Sequence, residues 1–113
     1  MQTINAENRT LGRVASEAAN ILLGKKSTSF VKNAVAGEEV KIVNASKIRV
    51  SGTKDTDKAY RHYTGHPGGL REESYKDLVA RRGHQEVLRL AVEGMIPRNR
   101  LRKARMKLLT IEA

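Results

Sequence analysis

The stretch "QTINAENRTLGRVASEAANILLG", residues 2–24, predicts a strand followed by an amphipathic helix, the opening of an α/β fold. "QTINA" is short and β-prone, "NRT" supplies turn residues, and Thr10 suits the N-cap position. Gly24 is expected to end the helix, with Lys25 and Lys26 at the negative end of its dipole. The apolar positions of the helix recur at the spacing of one face: Leu11, Val14, Ala15, Ala18, Ile21 and Leu22.

Two further strands and a loop are predicted after this helix. "EEVKIVNA" (38–45) is typical of a mostly buried strand, and "KIRVSG" (47–52) indicates another. The segment "TKDTDKAYRHYTGHPGGL" (53–70) is too polar and too rich in glycine for a core. We expect a long exposed loop there, with a short extended piece near Tyr60, and loops of that length are usually functional or disordered.

The second half of the chain predicts helices. Ser74 can cap "YKDLVARR" (75–82), and Gly83 separates it from the next helix. The buried face of that next helix is predicted to contain Val87, Leu88, Ala91 and Met95.

The last segments complete the predicted fold. "GMIPRNRLRKARMKLL" (94–109) is interpreted as a basic helix with its approach, and "LLTIEA" (108–113) as a closing strand. The alternation of strands and helices predicts an α/β domain with helices on both faces of a small sheet. The apolar stripe of the basic helix is predicted to be narrow: Leu101, Ala104 and Leu108.

Composition limits the class of protein. A chain of 113 residues is long enough for one domain, residues 1–113, with a single core. Because apolar residues make up 39% and aromatic residues 4%, the core is expected to consist mainly of Val, Ile, Leu and Ala. The cysteine count of 0 excludes disulfides, thiolate metal sites and cysteine catalysis.

The charge balance predicts a polyanionic partner. The chain has 22 Lys and Arg against 12 Asp and Glu, a formal net charge of +10. Such an excess costs self-repulsion, which nucleic acid relieves most commonly and an anionic membrane surface second. No apolar run reaches the roughly 18 residues of a membrane span, and "MQTINAENRT" is not a signal peptide. We therefore expect a soluble protein without a membrane partner.

Metal, nucleotide and catalytic sites find little support in the sequence. His62 and His66 are four residues apart, but the intervening Thr64-Gly65 and the following Pro67-Gly68-Gly69 are unsuited to a helix. Neither acid nor cysteine lies between residues 60 and 70. "LLGKKST" (22–28) resembles the end of a P-loop, yet it lacks the first glycine and follows a helix instead of opening one. No serine motif or carboxylate pair indicates catalysis, so neither an enzyme nor a cofactor is expected.

The basic segment is the strongest functional feature of the sequence. Six cations occur between Arg98 and Lys107 without one acid, whereas a solvated helix face normally alternates Glu and Lys. This pattern predicts contact with a polyanion. "YRHYTGHPGGL" (60–70) then suits a second contact with structured RNA. Its arginine can bind a phosphate through two hydrogen bonds, and its histidines can donate hydrogen bonds to phosphate or sugar. Its tyrosines can stack on unpaired bases, and its glycines let the protein backbone approach RNA closely.

Four ordered motifs strongly resemble those of the bacterial large-subunit ribosomal protein L-thirteen family. They are "TLGRVASEAANILLGK" (10–25), "VKIVNASKIRVSG" (40–52), "YRHYTGHPGGL" (60–70) and "VEGMIPRNRLRKARMKLL" (92–109), and together they span nearly the whole chain. The resemblance implies a three-layer α/β/α domain with a small, mostly parallel sheet of about four strands. It also implies a structural and assembly role on large-subunit ribosomal RNA, in the cytoplasm and beside neighbouring ribosomal proteins, with no catalysis, cofactor or small-molecule substrate.

The family's RNA-facing loop falls on residues 60–69 and its basic segment on residues 94–107. The chain departs from the family pattern at three of these positions: Tyr63 stands where His is common, Arg102 where Gly is usual and Arg105 where an apolar residue is usual. A regulator that binds RNA outside the ribosome, such as a translational repressor, remains an alternative. The predicted RNA-binding residues are Lys25, Lys26, Lys54, Tyr60, Arg61, His62, Tyr63, His66, Gly68, Gly69, Arg98, Asn99, Arg100, Arg102, Lys103, Arg105 and Lys107.

Overall fold

The structure, a computed structural model, describes residues 2–25, 28, 37–50 and 58–113. Lys26, Lys54 and most of the predicted loop around Phe30 lie outside the described residues.

A parallel sheet forms the centre of the fold. Its strands are β1 (Gln2–Asn5), β2 (Val40–Val43) and β5 (Leu109–Ile111), in the order β1-β2-β5. Both pairings are parallel. Because β2 is the central strand, its Val40 and Ile42 are almost completely buried. The predicted α/β class with a small, mostly parallel sheet is confirmed, with three parallel strands among the described residues where about four were expected.

Helix α1 (Leu11–Leu23) connects the first two strands of the sheet. Thr10 occupies the N-cap with extended backbone angles but makes no side-chain capping hydrogen bond. At the other end Gly24 adopts a φ of 82°, its N–H donates to the carbonyl of Ile21 and the N–H of Lys25 donates to that of Asn20. This closing pattern suits glycine, and the predicted helix end is confirmed.

The predicted strand at 47–52 is wrong over its described part. Asn44 has a φ of 58°, a 3₁₀ turn follows at Ala45–Lys47, and from there Arg49 forms an isolated parallel bridge with Thr10. The left-handed residue turns the chain out of the sheet directly after β2. As a result, Arg49 runs beside the start of α1 instead of extending the sheet.

The predicted loop at 53–70 contains a β-hairpin in its described part. Strands β3 (Ala59–Tyr63) and β4 (Leu70–Ser74) pair antiparallel, so the extended piece expected near Tyr60 is one strand of a pair. Most hairpin side chains are exposed on both faces, which explains why no alternation of apolar residues revealed the strands.

Two helices follow the hairpin. Helix α2 (Tyr75–Arg82) is capped as predicted, since the Ser74 hydroxyl accepts from the N–H of Asp77 at 3.2 Å. Helix α3 (His84–Met95) begins after Gly83. Its buried face contains Val92 in addition to the predicted Val87 and Leu88, whereas Met95 is 42% exposed. The prediction for Met95 is therefore wrong.

The basic segment contains a short helix in place of the long one that was predicted. Helix α4 covers only Arg102–Met106, and turns occupy the chain between Ile96 and this helix. Its orientation differs from the predicted stripe, because Ala104 is exposed and Arg105 is buried.

The core consists of aliphatic side chains, as the composition predicted. The main cluster joins α1, the sheet, α3 and Ile96, and contains fully buried Leu22, Ile42 and Leu88. A smaller cluster of Tyr75, Leu78 and Val87 supports the hairpin, since Tyr60 packs against it with Leu11 and Val50.

Candidate nucleic-acid interface

The β3–β4 hairpin presents part of the predicted loop motif to solvent. Its register places Tyr63 opposite Leu70, and these side chains are 62% and 58% exposed. Successive residues of a strand point to opposite faces, so Tyr60 and Tyr63, three positions apart, point in opposite directions. Tyr60 packs on the smaller cluster. Burial raises the pKa of the Tyr60 phenol, and the Lys58 ammonium lies 5.6 Å from the centre of its ring. Of the two tyrosines, Tyr63 is the one whose ring is open to stacking.

Arg61 is exposed but already paired. Its Nε lies 2.8 Å from the Oε1 of Glu72, directly opposite in the hairpin, and its side chain is 66% exposed. No acid lies between residues 60 and 70 of the sequence, but strand pairing brings the Glu72 carboxylate close to Arg61. Exposed ion pairs contribute little to stability, so Arg61 can exchange Glu72 for a phosphate at small cost.

The second carboxylate of the hairpin belongs to a different contact. Glu73 accepts two hydrogen bonds from Arg81 of α2, at 2.8 and 2.7 Å. This bidentate bond from Arg81 lowers the pKa of the Glu73 carboxyl below its ordinary value. Glu73 and Arg81 thus hold the hairpin against α2. His62 and His66, elsewhere in the hairpin, are exposed to solvent.

The turn between the strands explains the "HPGG" sequence. The carbonyl of His66 accepts from the N–H of Gly69 at 2.9 Å, with Pro67 and Gly68 between them and a φ of 73° at Gly68. Proline followed by a residue with positive φ is typical of a type II turn. Gly69 is buried, and a Cβ there would collide with the side chain of Thr64. The two glycines therefore shape the turn, and Gly68 is the exposed one of the two.

Four cationic side chains of the basic segment are exposed and have no carboxylate partner among the described residues. Asn99 fixes the turn beside them by accepting from the N–H of Leu101 at 2.9 Å. We call this set the basic patch: Arg98, Arg100, Lys103 and Lys107. Its charge remains available to an external anion.

Arg102 is held at the edge of this patch. Its Nη2 lies 3.5 Å from Glu93 of α3, whose other oxygen is 2.8 Å from Arg89. Arg89 also binds Glu86 at 2.7 Å, and this hydrogen bond raises the pKa of Arg89 and lowers that of Glu86. A cavity of about 440 Å³ lies between this network and the patch. Arg102 therefore anchors the segment to α3 and is only half-exposed.

Arg105 was predicted to contact RNA. The structure buries this residue, and the contact stays a prediction. Its side chain is 1% exposed, its N–H donates to the carbonyl of Leu101, and its own carbonyl accepts from Leu108. The short helix turns Arg105 towards the core, at the position where the family usually has an apolar residue. It is a packing residue of the interior.

The predicted site residues fall into two regions at opposite ends of the sheet. The basic patch precedes β5, and Lys25, which is exposed, follows α1, so both lie near the amino ends of the parallel strands. The hairpin packs with Leu11 and Val50, which follow the carboxyl ends of β1 and β2. The structure thus separates the two motifs that the sequence suggested.

Three arginines outside the predicted set share one cavity. Arg9, Arg13 and Arg49 line a space of about 340 Å³ together with Asn8 and Thr10. Sequence analysis missed them because they occur singly, and because the incorrect strand at 47–52 placed Arg49 in the sheet.

Other kinds of site are not found in the part of the chain that the structure describes. Its described residues include no group of three His, Cys, Asp or Glu side chains able to hold a metal ion. Across residues 2–25, 28, 37–50 and 58–113, no helix has the length and apolar character that crossing a membrane requires.

Comparison with known proteins identifies the family. The family model described as "Ribosomal protein L13" matches residues 1–111. The chain is 44% identical to the large ribosomal subunit protein uL13 of Rubrobacter xylanophilus over 97% of its own length and 76% of that protein. It is 43% identical to the uL13 of Syntrophomonas wolfei over 96% and 74% of the two lengths. The uL13 of Symbiobacterium thermophilum is 44% identical, with 97% and 76% covered.

These matches define the chain first as a structural, non-enzymatic constituent of the large ribosomal subunit. Within that class, it belongs to the ribosomal protein L13 family. The resemblance of the four sequence motifs to this family is therefore confirmed.

Proposed function

We propose that this chain binds large-subunit ribosomal RNA at both ends of its sheet and thereby supports assembly of the subunit in the cytoplasm. The observation that carries the proposal is the basic patch, whose Arg98, Arg100, Lys103 and Lys107 are exposed and form no ion pair with the described carboxylates. A charge of this kind favours RNA because phosphates release their counterions when it binds.

The hairpin adds contacts of a different chemistry. Arg61 exchanges its exposed partner Glu72 for a phosphate, and His62 and His66 donate to phosphate or sugar. Tyr63 stacks on a base that is not paired within an RNA helix, which is how proteins commonly recognise loops and bulges in RNA. Positioning then comes from the basic patch, and recognition of RNA shape comes from the hairpin.

The proposal is tested by binding to a transcribed fragment of large-subunit ribosomal RNA across a range of salt concentrations. The logarithm of affinity is expected to fall linearly with the logarithm of salt, at a slope that indicates about five or more neutralised phosphates. An unrelated structured RNA is expected to compete poorly. Equal competition by the unrelated RNA would contradict recognition of ribosomal RNA by this domain. Release from large subunits in high-salt washes would instead favour a loosely bound regulator.

Replacing Tyr63 with alanine is expected to weaken binding to the same fragment by about tenfold, since stacking of one base on an aromatic ring contributes roughly 1–3 kcal/mol. Tyr63→Phe retains the ring and should bind almost normally. Because Tyr63 is 62% exposed, neither substitution should change the melting temperature. Equal losses in both variants would attribute the effect to the hydroxyl group and contradict stacking.

A further inference from the structure

The arginine pocket, defined by Arg9, Arg13 and Arg49, is a charged cavity outside the set of predicted RNA-binding residues. Its walls also include Asn8 and Thr10, and its volume is about 340 Å³. Two separated segments form it, one between β1 and α1 and the other after β2. It is therefore a product of the folded chain and not of a local run of charge.

The backbone holds the two segments in register. The N–H of Arg49 donates to the carbonyl of Arg9 at 2.9 Å, and its carbonyl accepts from the N–H of Leu11 at 3.1 Å. Asn8, in a left-handed conformation with a φ of 57°, donates its N–H to Lys47 at 3.1 Å. These three hydrogen bonds hold the two segments together and fix the backbone from which the three arginine side chains extend.

The charges of the pocket are incompletely balanced. No acid is among its lining residues, and Arg9 alone is paired, through a 2.7 Å contact with Glu17. Arg13 and Arg49 are exposed and form no ion pair with any carboxylate that the structure describes. Three cations against one anion repel one another, and an external anion in the cavity would relieve that repulsion.

The side chains select the type of anion. Guanidinium groups present planar pairs of N–H donors that match the oxygens of a phosphate, and the neutral Asn8 and Thr10 can donate or accept beside them. The hydroxyl of Thr10 is not used to cap α1. The first turn of α1 contains no acidic residue, so nothing there repels an anion. The pocket also lies beyond the carboxyl ends of β1 and β2, where open α/β sheets commonly bind ligands.

We propose that the arginine pocket binds a phosphate group of the RNA backbone, as a third contact beside the basic patch and the hairpin. The inference rests on the proposed function for the identity of the anion. The pocket lies at the start of α1 and the basic patch near its end, and a helix of 13 residues spans about 20 Å. The pocket and the basic patch are therefore expected to hold different phosphates of the RNA.

The test uses the double variant Arg13→Gln, Arg49→Gln and the ribosomal RNA fragment. The variant retains the Arg9–Glu17 pair and removes two exposed side chains, so its melting temperature should match that of the unmodified chain. Affinity is expected to fall about tenfold, and the salt slope to decrease by between about one and two. The matched control is Lys41→Gln, Lys47→Gln, which loses the same charge at residues already paired with Glu112 and Glu7.

Arginine geometry is tested with Arg13→Lys, Arg49→Lys. This variant keeps both charges but loses the planar forks, so we expect an intermediate affinity. Wild-type affinity and slope in the glutamine variant would overturn the inference and leave the proposed function intact.

A second measurement tests anion binding in the pocket without ribosomal RNA. Titration of the unmodified chain with inorganic phosphate is expected to shift the backbone amide resonances of residues 8–13 and 49 in a saturable manner, and the glutamine variant should abolish the shifts. If this holds while the ribosomal fragment binds no better than unrelated RNA, the proposed function fails and the anion pocket stands. If phosphate produces no saturable shift at these amides, the pocket is overturned whatever RNA binding shows.

Discussion

Replacing Arg98, Arg100 and Lys103 together with glutamine is expected to weaken binding of the ribosomal RNA fragment by about a hundredfold and to reduce the salt slope by about three. The three side chains are exposed and have no carboxylate partner among the described residues. Their removal therefore subtracts phosphate contacts without breaking an internal pair. The melting temperature should stay the same or rise slightly, because like charges are removed.

The control for this variant removes equal charge elsewhere. Lys41 and Lys47 already pair with Glu112 and Glu7, and Lys76 is exposed on α2, outside the basic patch. Their conversion to glutamine therefore tests the effect of net charge alone. Its affinity should fall much less than that of the basic-patch variant. Equal losses in the two variants would mean that the chain attracts RNA through its overall charge, and that the basic patch has no special position.

Replacing Gly37 with alanine is expected to destabilise the fold by about 3 kcal/mol, the upper range for forcing an atom into a well-packed site. A Cβ at this position would overlap the backbone carbonyl of Leu22 and lie 2.8 Å from the carbonyl oxygen of Ile21. Backbone at a helix end cannot move aside as a side chain can. The chain leading into β2 would have to shift away from α1, and thermal or urea unfolding measures the loss.

Gly94 provides the matched control for this substitution. It lies in α3, is exposed, and a Cβ there would have nothing within 4 Å. Because alanine favours helices more than glycine does, Gly94→Ala should raise the free energy of unfolding by up to about 1 kcal/mol. Opposite signs for the two substitutions are the expected result. Similar stabilities would show that α1 and the approach to β2 are less closely packed than the structure indicates.

Local chemistry made part of the fold predictable. Gly24 at the end of α1 and Ser74 at the start of α2 act through hydrogen bonds to residues three to five positions away, so the sequence nearby contains the information. The same holds for the strands 2–5 and 40–43, which contain the β-branched residues Thr3, Ile4, Val40, Ile42 and Val43.

Other features depend on contacts that are distant in sequence. Ile48 and Val50 alternate with polar residues as a strand would, but the left-handed Asn44 diverts the chain to the side of α1. In α4 the apolar spacing suggested that Ala104 faced inward, whereas packing against α1 and the core buries Arg105. Tertiary packing decided both outcomes, and neither is visible within a short window of sequence.

The candidate site divides in the same way. A dense run of cations identified the basic patch, because density alone is a property of sequence. The pairing of Arg61 with Glu72, and the gathering of Arg9, Arg13 and Arg49, require strand pairing and chain crossing to be known. Lys26 and Lys54 lie outside the described residues, and their predicted contacts remain predictions.

The separation of the basic patch and the arginine pocket by the length of α1 has a consequence for the order of assembly. In the proposed complex, the first RNA contact would hold the second phosphate near its site. The second contact would then depend on a local effective concentration, and not on the concentration of RNA in solution. This added affinity would be obtained only when the RNA has already folded so that its phosphates match the spacing of the two sites. If both proposed contacts form, the fixed spacing of the two sites would make the chain bind compactly folded RNA more tightly than extended RNA.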